Sequence, residues 1–70
     1  MLEVTIRIDP AHAKRFDEIV AALREVGLED VETYVRFLMV VGSVRESNLV
    51  SLRNVEGIAS VREEYIYKGS

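Results

Sequence analysis

The chain offers few side chains that could carry out catalysis. His12 is its single histidine, and it follows Asp9 closely enough for the two to share a site. A lone histidine in the first turn of a helix is far more often a solvated side chain than a catalytic base. The sequence contains no cysteine, which excludes disulfides, thiolate-bound zinc and thiol nucleophiles. We therefore expect no catalytic residue, no metal site, no cofactor and no enzymatic activity.

The charged residues indicate an ordinary surface rather than a binding site for ions or nucleic acid. Carboxylates cluster at 29–32 and at 63–64, and the arginines are spread along the chain. Acidic runs in loops usually keep a protein in solution, and a net charge of −3 gives no electrostatic attraction for a phosphate backbone. No segment approaches the roughly 20 apolar residues of a membrane span. We expect a cytoplasmic protein that binds neither nucleic acid nor membrane.

The first third of the chain predicts a strand followed by a helix. Apolar and polar residues alternate from Leu2 to Ile8, which is typical of a strand with one buried face. Asp9 is placed to cap a helix whose first residue is Pro10. Apolar residues then recur at helical spacing until Gly27, the expected stop: Ala13, Phe16, Ile19, Val20, Leu23 and Val26.

The middle of the chain fits two descriptions. Its apolar residues suit a helical stripe capped by Asp30, but β-branched and aromatic residues are enriched and the apolar run ends at Gly42. We predict two strands, Val31–Val35 and Phe37–Val44, joined by a turn near Arg36. That turn lacks Gly, Asn and Pro, so we expect the hairpin to be longer than a tight turn, or bulged.

The last third predicts a short helix and a returning strand. The helix begins at Glu46 or Ser47 and ends before Gly57, and the strand starts at Ile58 and runs through Tyr67. The order β-α-β-β-α-β within 70 residues predicts one domain, residues 1–70, of the α+β class. We expect a ferredoxin-like split β-α-β sandwich, with a four-stranded antiparallel sheet and two helices on one face.

The uncovered face of this sheet is the predicted functional surface. The third strand is apolar at every position from Phe37 to Val41. Because successive side chains of a strand point to opposite faces, every second one of these apolar residues must point away from the helices. The outward set is either Phe37, Met39 and Val41 or Leu38 and Val40, beside Glu3, Thr5 and Arg7 of the first strand. An apolar band rimmed by polar groups usually marks an association surface. The expected partner is a second copy of the chain, as a homodimer or larger oligomer, or a foreign protein.

The residues Gly42–Glu64 resemble the closing half of the subtilisin-propeptide and proteinase-inhibitor family. Leu49 and Leu52 match its helix, Gly57 and Ile58 its turn, and Val61 and Glu63 its last strand. The resemblance implies a small inhibitor-like protein that docks its open sheet face onto a subtilisin-like protease. Its C-terminal tail would lie in the active-site cleft as an extended segment, using Tyr65, Ile66, Tyr67 and Lys68.

A second resemblance concerns the opening of the chain. The strand, Asp9-Pro10, the helix and Gly27-Leu28 are similar to the start of ACT-type regulatory domains. This resemblance implies a homodimer that senses a small ligand near the loop after the first strand, or a purely structural homodimer. It is the alternative to the inhibitor-like interaction module.

Overall fold

A computed structural model describes residues 1–64 of the chain and gives a four-stranded sheet with two helices. The strands are β1 (Leu2–Ile8), β2 (Glu29–Tyr34), β3 (Met39–Val44) and β4 (Ile58–Glu64), and the helices are α1 (Phe16–Glu25) and α2 (Leu49–Arg53). Short 3-10 segments precede α1, β3 and α2, at Pro10–Arg15, Val35–Phe37 and Glu46–Asn48.

The sheet order is β2-β3-β1-β4, and every neighbouring pair is antiparallel. β1 and β3 are therefore central, and the two crossovers that contain helices return the chain to the sheet on the same side. This arrangement confirms the predicted α+β sandwich with the ferredoxin-like strand order.

The core lies between the helices and one face of the sheet. Alternate residues of β1 and β3 are buried there, and both helices contribute to the same cluster. Its members are Leu2, Val4, Ile6, Ile8, Phe16, Ile19, Val20, Leu23, Leu28, Val40, Val44 and Leu52. All are aliphatic or aromatic, and no polar residue among 1–64 is buried with them. Hydrophobic burial on this single face therefore holds the layers together.

The first helical segment begins where the sequence predicted but with a different geometry. Asp9 accepts a hydrogen bond on Oδ1 from the Ala11 amide at 2.9 Å, and Pro10 opens the segment. Its first six residues form a 3-10 helix, and regular α-helix starts only at Phe16. Ala13, predicted on the buried stripe, is exposed because the tighter 3-10 winding rotates its side chain off the α-helical stripe. The chain leaves α1 at Gly27, whose φ of 106° suits glycine.

The β2–β3 hairpin corrects the predicted boundaries. Phe37 is not in the third strand: it ends a 3-10 turn, and β3 starts at Met39. Tyr34 and Met39 are the last paired residues, so the loop comprises residues 35–38. Leu38 adopts the left-handed conformation, with φ 50° and ψ 49°, and supplies the positive φ that the turn requires. Its carbonyl accepts the Ile8 amide at 2.8 Å, and its side chain packs against the core.

Close contacts at one glycine join β3 to the start of β2. A Cβ added to Gly42 would lie 2.8 Å from the Glu29 carbonyl oxygen and 2.9 Å from the Leu28 side chain. Gly42 faces the covered side and is buried. The absence of a side chain here lets the backbone of the 28–29 segment pass directly over β3.

The closing half of the fold follows the predicted order. Leu52 is fully buried, whereas Leu49 and Val55 are partly buried against the core. The Arg53 guanidinium donates to the Glu63 carboxylate at 2.7 Å, which ties α2 to the covered side of β4. Both side chains are partly exposed, so we expect the pair to stabilise the fold by less than about 1 kcal/mol.

Candidate functional site

The open face of the sheet consists of the side chains that point away from the helices. Strand register places them in three rows that cross the sheet from β2 to β4. We call the row beside the hairpin the upper row, then the middle and lower rows. The upper row is Tyr34, Met39, Arg7 and Ser60; the middle row is Glu32, Val41, Thr5 and Arg62; the lower row is Glu29, Ser43, Glu3 and Glu64.

Met39 and Val41 are the apolar side chains of this face on the central strand β3. Both are half-buried, while Val40, between them, is fully buried on the covered side. Of the two alternate sets of residues that the sequence allowed to face outward, the set with Met39 and Val41 is therefore the outward one. β1 supplies Glu3, Thr5 and Arg7 to the same face, as predicted.

A hydrogen bond joins two open-face side chains on the outer strand β2. The Tyr34 hydroxyl donates to Glu32 Oε2 at 2.8 Å. This bond to the carboxylate, together with the negative charge of Glu32, raises the pKa of the Tyr34 phenol above its ordinary value. The contact fixes the Glu32 carboxylate beside an aromatic ring at the margin of the face.

The hairpin loop concentrates exposed hydrophobic residues next to the upper row. Phe37 is 70% exposed and Val35 is 60% exposed, and Tyr34 precedes them at the end of β2. We call residues 34–37 the hairpin tip. Hydrophobic side chains this exposed cost solubility unless they serve association, so the tip extends the candidate surface beyond the sheet.

The charges of the open face are distributed across the sheet rather than paired. Glu32 and Arg62 occupy the two ends of the middle row, separated by three strand spacings, which is about 14 Å. The ion pairs found within residues 1–64, Arg15–Glu18 and Arg53–Glu63, lie elsewhere. Within this described part of the chain, neither Arg7 nor Arg62 has an ion-pair partner, so both cations are available to another molecule.

The predicted site residues fall into three groups. Met39 and Val41 lie together on the open face, and Phe37 lies near them on the hairpin tip rather than on the strand. Tyr65, Ile66, Tyr67 and Lys68 lie outside the described residues, so their proposed role in a protease cleft stays a prediction.

Sequence reasoning missed Glu32, Tyr34 and Arg62 as parts of the surface. Their period-two spacing along β2 and β4 was visible, but the row that joins them depends on strand register. The register of β2 against β3 in turn depends on where the hairpin loop begins and ends.

The residues considered for catalysis have structural contacts. The Asp9 carboxylate caps the 3-10 turn, and the Asp9 amide donates to the Gly57 carbonyl at 2.8 Å. His12 packs near Gly57, where an added Cβ would meet the His12 Cβ at 3.4 Å. Among residues 1–64, no group of three or more His, Asp or Glu side chains could hold a metal ion.

A small groove lies on the helical layer rather than on the open face. Its volume is about 110 Å³, and its lining residues are Arg15, Glu18, Ile19, Ala22, Val55 and Glu56. Sites for small ligands usually enclose roughly 300–1,000 Å³, so this groove is too small for most metabolites.

Comparisons with protein-family models, with curated proteins and with solved structures find no match to this chain. Both family resemblances noted in the sequence therefore stay predictions. None of the helices in the described region is long and apolar enough to cross a bilayer. The cytoplasmic location also stays a prediction.

Proposed function

We propose that this chain is a small non-enzymatic module that binds another protein chain through the open face of its sheet. The observation that carries the proposal is the position of Met39 and Val41. They form the centre of a face that no element within residues 1–64 covers, with charged residues around them. Covering the exposed half of each side chain would stabilise a complex by about 1 kcal/mol.

The shape and chemistry of the face favour a protein as the ligand. It spans four neighbouring strands, which is a broader contact than the concave pockets that hold small molecules. An apolar centre with a polar rim is the usual anatomy of a protein interface. The hairpin tip adds the exposed side chains of Val35 and Phe37, which enlarge the apolar surface that a protein partner could cover.

Two kinds of partner follow from the sequence: a second copy of the chain, or a subtilisin-type protease. The protease rests on the resemblance of residues 42–64 and on the tail beyond Glu64. The second copy rests on the small size of the domain and on its uncovered face. Both would use the open face, so one set of variants tests the proposal for either partner.

The test compares a Val41→Lys variant with a Val50→Lys variant. Val41 is on the open face, whereas Val50 is on α2 in the helical layer and is 70% exposed. Solution mass would be measured for each purified chain alone and mixed with each member of a panel of subtilisin-type proteases. We expect a complex with the natural chain that Val41→Lys abolishes and Val50→Lys preserves.

Circular dichroism would check that each variant is folded, and Met39→Lys provides a second open-face variant if Val41→Lys is not. Absence of any complex, with itself or with a protease, would contradict the proposal. So would a complex that Val50→Lys abolishes and the open-face variants preserve.

A further inference from the structure

We infer that the occupant of the open face is a second copy of this chain, packed face to face and related by a two-fold axis. The axis lies between the two sheets, runs parallel to the strands and is centred over the boundary between β3 and β1. The inference rests on the proposed function, because it names the partner of the same surface. The sheet has two strands on each side of this axis, so the rotation places β2 over β4 of the second copy and β3 over β1.

The charges of the middle row are self-complementary under this rotation. Glu32 of each chain comes to lie opposite Arg62 of the other, and Val41 opposite Thr5. Because the rotation is two-fold, both pairs form twice. Within one chain Glu32 and Arg62 are too far apart to pair with each other, whereas the second copy brings an opposite charge to each of them.

The expected twist between packed sheets is compatible with these pairs. Face-to-face sheets cross at about 30°, and Glu32 and Arg62 each lie about 7 Å from the axis. The crossing therefore displaces them by about 3.6 Å along the strand, which is one residue. An arginine side chain is long and flexible enough to bridge that displacement.

Side-chain sizes also match in the upper row. Tyr34 comes to lie opposite Ser60 of the second copy, so a large aromatic ring faces a small residue. Met39 lies opposite Arg7, whose aliphatic stem packs against apolar surface while its guanidinium reaches solvent. The least favourable contact is at the corner of the sheets, where Glu64 faces Glu29 of the second copy.

The other two-fold arrangement of facing sheets is disfavoured by its central row. An axis perpendicular to the strands would place Glu32 against Glu32 and Arg62 against Arg62. Like charges opposed in a partly desolvated row repel, although Glu3 and Arg7 would pair in this arrangement. Reversing one charge of the middle row therefore turns attraction into repulsion in the first arrangement, whereas in the second like charges face each other both before and after the change.

The area of the face sets the expected affinity. Four strands and about six residues of length give a face of about 19 Å by 20 Å. The area of such a face is less than about half of the roughly 800 Å² that each partner buries in a standard interface. We therefore expect a dimer that dissociates in the micromolar range, and solution mass should be followed by sedimentation from micromolar to millimolar concentration.

The test is a charge exchange between Glu32 and Arg62 in the full chain. We expect Glu32→Arg alone and Arg62→Glu alone to raise the dimer dissociation constant by about tenfold or more, because each opposes like charges. The double variant Glu32→Arg/Arg62→Glu should restore the dissociation constant of the natural chain. Glu18→Arg, on the exposed side of α1, is the matched control and should leave it unchanged.

Three results would overturn the inference. The first is a natural chain that stays monomeric at millimolar concentration while forming a protease complex that depends on Val41; the proposed function would then stand with a different partner. The second is a dimer whose affinity the double variant fails to restore. The third is a monomer that also binds no protease, which would overturn the proposed function as well.

Discussion

The two faces of the sheet use alternate residues of the same strands for different purposes. On β1, the residues that face the helices are Leu2, Val4, Ile6 and Ile8, all buried, and those that face away are Glu3, Thr5 and Arg7. On β3, Val40, Gly42 and Val44 are buried, and Met39, Val41 and Ser43 are half-exposed. The covered face supplies the cohesion of the domain, so substitutions on the open face can change what the chain binds with little effect on whether it folds.

The strongest test of this contrast is a pair of substitutions at neighbouring positions of β1. Ile6 is fully buried, and we expect Ile6→Ala to lower the free energy of unfolding by about 2–5 kcal/mol. A domain of this size is stable by only about 5 kcal/mol, so the variant should be close to unfolded. Thr5→Ala, on the open face, should cost less than about 1 kcal/mol. Urea unfolding followed by circular dichroism measures both, and similar losses would contradict the division of roles between the faces.

A smaller difference is expected on β3. Gly42→Ala would bring a methyl group against the Glu29 carbonyl and the Leu28 side chain, and we expect it to lower the free energy of unfolding by about 1–3 kcal/mol. Ser43→Ala, one residue further and facing out, should change it by less than about 0.5 kcal/mol. The same urea experiment compares them. A Gly42→Ala variant as stable as the natural chain would mean that the 28–29 segment moves away from β3 without cost.

The smallest expected effect is on the titration of the open face. The hydrogen bond to Glu32 raises the pKa of Tyr34, so Glu32→Gln should lower that pKa toward its ordinary value. Since the phenol keeps its proton more strongly in the folded chain, its contribution to stability is present below the ordinary tyrosine pKa. That contribution is lost as the pH rises through the raised pKa.

Carbon NMR of the tyrosine rings, with Tyr34→Phe to assign the signal, measures this titration. Glu64→Gln removes another open-face charge that has no bond to Tyr34, and it should leave the pKa of Tyr34 nearly unchanged. Equal titration curves for Tyr34 in the natural chain and in Glu32→Gln would contradict the assigned cause.

The sequence was sufficient for the first strand, for the two ends of the first helical segment and for the order of elements. Alternation along β1 fixed both of its faces, and Asp9, Pro10 and Gly27 marked the ends of the helical segment. These features are local, so each can be read from a few neighbouring residues.

The hairpin could not be predicted in detail because its geometry depends on tertiary contacts. Leucine rarely adopts positive φ, which costs about 1–2 kcal/mol, so nothing in the sequence marked Leu38 as the turning residue. Its side chain packs against the core and its carbonyl accepts the Ile8 amide, and these contacts offset the cost. The start of β3 directly after Leu38, and the pairing of Tyr34 with Met39 at the end of the hairpin, both depend on this turn.

The irregular start of β2 has a consequence for how copies of this chain can assemble. Pairing with β3 slips between Glu29 and Glu32, and Asp30 there has a φ of 52°. A bulged, acidic outer strand is a poor template for adding a further strand, so growth of the sheet into a continuous ribbon is blocked on this side. Crowded solutions of the protein should therefore yield assemblies of limited size instead of fibrils.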